Sequence, residues 1–275
     1  MRERDQSATG AASRNKAALS RPLCIVAFHR IAANPADELS YAPARFRRLC
    51  AWWRETADVI PLASCFQPAA GATLGTAERL RLAITFDDGY ADNALVAAEI
   101  LADLGLTATF FLPSAWIGLG RSFPWDAPYA PPPPVMDWAQ ARQLAAAGFG
   151  IGSHTCTHAR LAACEPARRE SELRDSRREL EQRLGVAVVD FAYPYGGRED
   201  CREEDRQAVV AAGYRCCLSC YGGLTNMADP WHGRRIAISP RWHASPRAWR
   251  RQLARAERAW RVERLAAGVA DSHRA

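Results

Sequence analysis

The sequence predicts an α/β fold in which a largely parallel sheet, arranged as a β/α barrel, is covered by helices. Three observations lead there. Short apolar and β-branched runs alternate with helical patterns almost throughout the chain. Polar residues able to do chemistry, namely His29, Asp87, Asp88, His154 and Tyr195, sit just after the ends of those runs. In a parallel barrel such ends converge on one face, where catalysis is sited. Finally, 275 residues with 48% hydrophobic and 24% charged side chains suit one such barrel with appendages and a large core.

The elements follow in order. Leu23 to Phe28 reads as a buried strand ending at His29. Residues 43–55 pattern as a helix with Phe46, Leu49 and Trp53 on one face. Val59 to Leu62 is a short extended segment, and Leu82 to Phe86 a second buried strand that delivers Asp87 and Asp88. Asn93 to Leu104 reads as a helix closed by Gly105, and Thr107 to Leu112 as a strand. Residues 114–136 form a long loop with Trp116, Trp125, Tyr129 and four consecutive prolines. Asp137 caps a helix over 138–147 that stops at Gly148, and Phe149 to Gly152 is a strand feeding His154. Glu165 to Leu184 is a charged helix ending at Gly185, followed by a strand over Val188 to Tyr193 and a helix over 202–212. Tyr214 to Ser219 and Ile236 to Ser239 are further strands, and 246–265 is a terminal helix.

Bulk properties exclude several classes. The net charge is +6, and Lys16 is the only lysine. The surplus favours anionic partners such as phospholipid surfaces, lipid-linked phosphates or nucleic acid, or simply reflects arginine-rich usage. No nucleic-acid partner is expected. No stretch of about 18 uncharged apolar residues predicts a transmembrane helix. Met1 to Ser20 lacks the apolar core of a signal peptide. Nine cysteines, an odd number, read as buried reduced thiols rather than a disulfide framework. Both features lead to an expected cytoplasmic location.

Two segments carry the chemistry. Ile84-Thr85-Phe86-Asp87-Asp88-Gly89-Tyr90 places adjacent carboxylates at a strand end, and His154-Thr155-Cys156-Thr157-His158 places two imidazoles four residues apart. One Asp with two His makes a three-ligand divalent-metal site with open positions for water and substrate. The other Asp is left as a base, which is the equipment of a metal-assisted hydrolase. Zinc suits the set, though cobalt, nickel, iron and manganese accept the same donors.

With Phe191-Ala192-Tyr193-Pro194-Tyr195-Gly196 following, the three motifs in this order resemble the NodB-homology polysaccharide deacetylases, carbohydrate esterase family four. The resemblance covers roughly residues 23–240 and implies a distorted (β/α)7 barrel that hydrolyses N- or O-acetyl groups on sugars. It implies Asp87 as general base, Asp88, His154 and His158 as metal ligands, and the backbone N–H of Tyr195 as oxyanion donor. The domain reading is then a flexible tail over 1–20, the deacetylase domain over 21–243, and a basic helix and tail over 244–275.

Two departures from the family pattern stand out. The usual late Leu-x-His motif, which supplies the acid, is missing from Arg234-Arg235-Ile236-Ala237-Ile238-Ser239-Pro240. Ile25-Val26-Ala27-Phe28-His29-Arg30-Ile31 instead resembles the first strand of a permuted branch that includes poly-N-acetylglucosamine deacetylases, which implies His29 as general acid. His232 and His243 are the alternatives. Ala192 stands where the family places an Arg that pairs with the base, and Arg235 is the residue able to approach from another strand.

The expected function is metal-dependent removal of N-acetyl, less readily O-acetyl, groups from a glycan or a lipid- or nucleotide-linked sugar. Deacylation of a small non-sugar amide and an inactive glycan-binding barrel are the competing readings. Two features remain open. The loop tryptophans either stack on sugars or pack. The terminal helix, with Trp249, Leu253, Ala256 and Trp260 on one side and Arg250, Arg251, Arg255, Arg258 and Arg261 around it, either lies on the barrel or makes a peripheral membrane contact.

Overall fold

The computed structural model describes residues 23–32, 37–66, 79–241, 243 and 245–272, the last nine by backbone alone. The expected tail over 1–20 lies outside the described residues. Eight strands form one parallel sheet: β1 (Leu23–Phe28), β2 (Ala57–Val59), β3 (Leu80–Phe86), β4 (Thr109–Leu112), β5 (Gly150–Ser153), β6 (Asp190–Ala192), β7 (Cys216–Leu218) and β8 (Arg235–Ala237). Their order is β7-β6-β5-β4-β3-β1-β8, with β2 beside β3. Leaving β2 aside, this is chain order run around a circle, because β8 returns to pair with β1. The seam falls between β7 and β8, which approach through a single Leu218–Gly233 bridge. The sheet is therefore a nearly closed seven-stranded barrel. β2 occupies the first half of β3, from Leu80 to Leu82, and β4 the second half, at Thr85 and Phe86.

The covering helices are α1 (Pro43–Thr56), α2 (Ala98–Asp103), α3 (Trp138–Ala146), α4 (Pro166–Leu184), α5 (Glu203–Ala211) and α6 (Pro246–Ser272). Local chemistry sets their ends. Asp137 accepts from the Gln140 N–H while the Gln140 side chain accepts from the Asp137 N–H, a reciprocal cap that starts α3. Gly185, at φ +69°, ends α4 in a conformation that costs a residue with a Cβ. Asn93 to Ala97 departs from the expected single helix: it winds as one wide π turn before α2. α6 runs on past the expected residue 265 to Ser272.

The main core lies between sheet and helices. Phe28, Phe86 and Phe110 stand side by side on β1, β3 and β4, with centroids 5.4 and 4.9 Å apart. α1 packs Phe46 edge-on against this row and buries Leu49, Cys50 and Trp53. α6 turns its apolar side onto the barrel: Trp249 is fully buried, its ring 5.3 Å from that of Trp53, and Leu253, Ala256 and Trp260 pack partly buried. Its arginines at 250, 251, 255, 258 and 261 face solvent. All nine cysteines are free. Burial pushes the Cys217 thiol up to about 11, so it stays protonated and packs as an apolar group. Among the described residues, no helix is long and apolar enough to cross a membrane.

Trp249 gives a direct measure of how far α6 belongs to the core. Trp249→Ala is expected to cost about 3–5 kcal/mol in urea unfolding. A loss below about 0.5 kcal/mol would mean that the helix only rests on the surface.

Candidate active site

Strand alternation decides which residues reach the barrel mouth. On β3, Leu82, Ile84 and Phe86 join the helix-facing core, whereas Ala83 and Thr85 face the lumen. Asp87 continues the lumenal phase just past the strand end. On β1, Cys24, Val26 and Phe28 face the helices, so His29 is next in the lumenal phase. On β5, Ile151 faces outward and Gly152 inward, where a Cβ would lie 2.3 Å from the Phe111 ring; His154 follows in phase. His29, Asp87, Asp88, His154, His158 and Tyr195 accordingly line one pocket of about 470 Å³, together with Trp125 and Cys220.

Asp88, His154 and His158 bring one donor atom each within 4.8 Å of one another. Asp88 Oδ1 is 3.1 Å from His158 Nε2 and 3.4 Å from His154 Nε2. That oxygen is buried, with no hydrogen-bond partner among the described residues. An orphaned buried carboxylate oxygen is costly unless something else, such as a cation, satisfies it. His154 Nδ1 lies 2.8 Å from the Ala192 carbonyl, so that nitrogen carries the proton and Nε2 turns its lone pair toward Asp88. These donors fit a divalent metal.

Asp87 sits in a different environment. Arg235 donates from Nη1 to Oδ1 at 2.7 Å and from Nη2 to Oδ2 at 2.8 Å, a bidentate fork. The same guanidinium bonds Thr85 Oγ1 and the Ser219 carbonyl and is fully buried. Burial pushes the Asp87 carboxyl up, and the Arg235 charge outweighs it and holds the group below its ordinary value. The arginine missing at Ala192 is thus replaced by one from β8, the strand that returns beside β1.

The loops that carry the donors are strained and propped. The four non-glycine residues with left-handed φ among the described residues are Asp88, Thr155, His158 and Tyr195, all at this mouth. Glu172 on α4 accepts from the N–H groups of Cys156 and Thr157 and from the Thr157 hydroxyl, which fixes the loop between the two histidines. Ser176, one turn on, donates to the Thr155 carbonyl. Arg160 bonds Asp200 at 2.6 Å and lies 4.3 Å over the Tyr195 ring, tying the histidine loop to the Tyr195 loop. Reading the sequence assigned no role to Glu172, Ser176 or Arg160. The available signal was a glutamate and a serine four apart, beside Leu173 and Leu180 on the one buried face of an arginine-rich helix.

The alternative acids fall elsewhere. His232 is exposed and bonded to Asp229, and His243 is buried against Trp249. Neither lines the pocket that holds Asp87. Of the loop tryptophans, Trp116 stacks toward Phe123 and donates to the Thr157 carbonyl. Trp125 is 40% exposed, lies against His158 and donates to the Tyr90 hydroxyl, which donates to Asp126. The loop therefore both packs and forms a pocket wall.

Removing one member of the Asp87–Arg235 pair leaves a buried charge without its partner. Arg235→Met is expected to lower stability by about 3–5 kcal/mol in urea unfolding. Adding Asp87→Asn to that variant is expected to restore most of the loss. A double variant no more stable than Arg235→Met alone would show that the cost lies in packing rather than in the pair.

Comparison with known proteins agrees with this geometry. The polysaccharide deacetylase family model matches residues 75–217. YxkH of Bacillus subtilis (strain 168) is 27% identical over 158 residues, 57% of this chain and 51% of that protein, so the chain spans about half the length of that relative. The fold is shared with the Streptococcus pyogenes deacetylase PplD, at 19% identity and TM-score 0.71 over 84% of this chain and 97% of that one. It is shared also with IcaB from Ammonifex degensii, at 18% identity and TM-score 0.67 over 86% and 96%. The family match spans β3 to β7 and includes both acidic and histidine motifs, and the chain belongs to the polysaccharide deacetylase family.

Proposed function

We propose that this protein is a metal-dependent hydrolase that removes N-acetyl groups from a carbohydrate. The observation that carries the reading is the division of labour between adjacent carboxylates. Asp88 shares a three-donor cluster with His154 and His158, while Asp87, one residue earlier, is forked onto Arg235 in the same pocket. A divalent metal, with zinc the best match to one Asp and two His, supplies Lewis-acid polarisation of the acetyl carbonyl and activation of water.

The chain's own residues do the rest. Each oxygen of the Asp87 carboxylate keeps a second lone pair beyond its Arg235 bond, so the group can accept a proton from attacking water. The water oxygen bonds to the acetyl carbon as negative charge gathers on the carbonyl oxygen. The Tyr195 N–H, on a residue held at φ 63° at the pocket rim, is the donor assigned to that charge. His29, on the β1 side of the pocket, gives a proton to the nitrogen as the C–N bond breaks, releasing acetate and an amine. Arg235 holds Asp87 ionised and aimed. An inactive glycan-binding barrel would have no use for this division of labour.

The test is acetate release from N-acetylglucosamine oligomers and acetylated xylan, after chelation and after zinc is returned. Turnover is expected only with metal, and to vanish in Asp88→Ala. Asp87→Asn and His29→Ala are each expected to lower kcat about 10²–10⁴-fold on amides. On an activated ester, whose leaving group needs no proton, His29→Ala is expected to act nearly as wild type. A His29→Ala protein with near-normal amide turnover would remove His29 as the acid, and acetate release without metal would remove the whole scheme.

A further inference from the structure

The catalytic pocket has a neighbour. Cys220 and Ala237 line both it and a second groove of about 760 Å³. This groove lies along the barrel seam, between the segment that follows β7 and strand β8, and α6 forms its outer wall. Apart from Arg198, its lining comes from residues beyond the span matched by the family model.

Its charge is one-sided. Arg198, Arg234 and Arg255 line it against one carboxylate, Glu263, a surplus of two positive charges. Glu263 is already engaged with Arg234 at 2.7 Å. Arg198 lies 4.8 Å over the Tyr221 ring, and Arg255 is exposed on α6. A run of arginines along one helix is ordinarily a solvated face. Here the three come from separate segments, after β6, before β8 and on α6, and converge on one cavity. Gly222 and Gly223 line it as well, and at Gly222 a Cβ would meet nothing within 4 Å.

We propose that this groove seats the phosphoryl groups of a sugar diphosphate whose N-acetylated sugar enters the catalytic pocket. The assignment rests on the deacetylase reading and names its substrate class. Guanidinium forks match phosphate oxygens geometrically and stay charged at all working pH values. A pyrophosphate diester carries two negative charges and balances the groove, whereas a single sugar carboxylate leaves it half-neutralised. The phosphoryl groups take no part in bond breaking; they hold the sugar in register with Asp87 and His29. Two sources share this chemistry, a nucleotide diphosphate sugar and a lipid diphosphate sugar.

The experiment compares KM and kcat for UDP-N-acetylglucosamine, a polyprenyl-diphosphate-linked N-acetylglucosamine and a neutral N-acetylglucosamine oligomer, in wild type and in Arg198→Gln/Arg255→Gln. One diphosphate substrate is expected to show KM at least about 10-fold below the neutral sugar, and which one identifies the source. The double variant is expected to raise that KM about 10–100-fold and leave kinetics on the neutral sugar unchanged. Equal KM values for charged and neutral sugars, unmoved by the double variant, would overturn the assignment. Calorimetric titration of the chelated protein with inorganic pyrophosphate separates the two readings. If no substrate yields acetate, the deacetylase reading falls, and pyrophosphate binding lost in the double variant still supports the groove. No pyrophosphate binding to wild type overturns it.

Discussion

The fork between Arg235 and Asp87 is the interaction on which the rest of the site depends. Asp87 is 3% exposed and Arg235 not at all, so each alone would lose several kcal/mol of hydration. Together they satisfy one another, and Thr85 and the Ser219 carbonyl take further guanidinium N–H groups. The pair also has a structural consequence. It joins the end of β3 to β8 across β1, which fixes the register of the strand that begins to close the barrel. Electrostatically it separates two neighbouring carboxylates. Asp87 is neutralised from the lumen, which leaves Asp88 alone to face the histidines.

Much of this was legible in the sequence, and the reasons are local. β1 coincides with the apolar run from Leu23 to Phe28, and the α1 face of Phe46, Leu49 and Trp53 is buried as its spacing requires. The six site residues share a pocket because a parallel barrel brings strand ends together, and alternation then fixes which side each residue takes. What was illegible is what depends on pairing between distant segments. β2 is three residues long and defined only by its register against β3. The partner of Asp87 lies 148 residues away: the sequence offered Arg235 as a candidate from a late strand, but its bidentate fork follows from the return of β8 to β1. Glu172 was hidden for a similar reason: α4 is rich in charged residues, and only its place on the buried face with Leu173 and Ser176 directs it inward.

The left-handed residues at the mouth show how a rigid barrel supports a strained site. Asp88, His158 and Tyr195 each hold a conformation that costs on the order of 1–3 kcal/mol. Such a cost persists only where neighbours over-determine the backbone. Glu172 and Ser176 do this for the histidine loop, and the Arg160–Asp200 pair does it for the Tyr195 loop. Asp200 also accepts from the Gly197 N–H, so one carboxylate braces its own turn and the neighbouring loop at once. The donors are held in place before any substrate arrives, which is the condition for electrostatic preorganisation.

The seam between β7 and β8 gives the same architecture its asymmetry. A fully closed barrel would present a mouth walled evenly by loops. Here one bridge stands where a ladder would run, and the gap is covered from outside by α6. Trp249 anchors that helix on Trp53, so α6 walls the groove as a braced element rather than a loose tail. Farther along the helix Glu263 is tied to Arg234, next to the strand that carries Arg235. Arg235 turns into the lumen to hold Asp87, and Arg234 turns outward to line the groove. Strand alternation alone is enough to send two neighbouring arginines to these separate tasks.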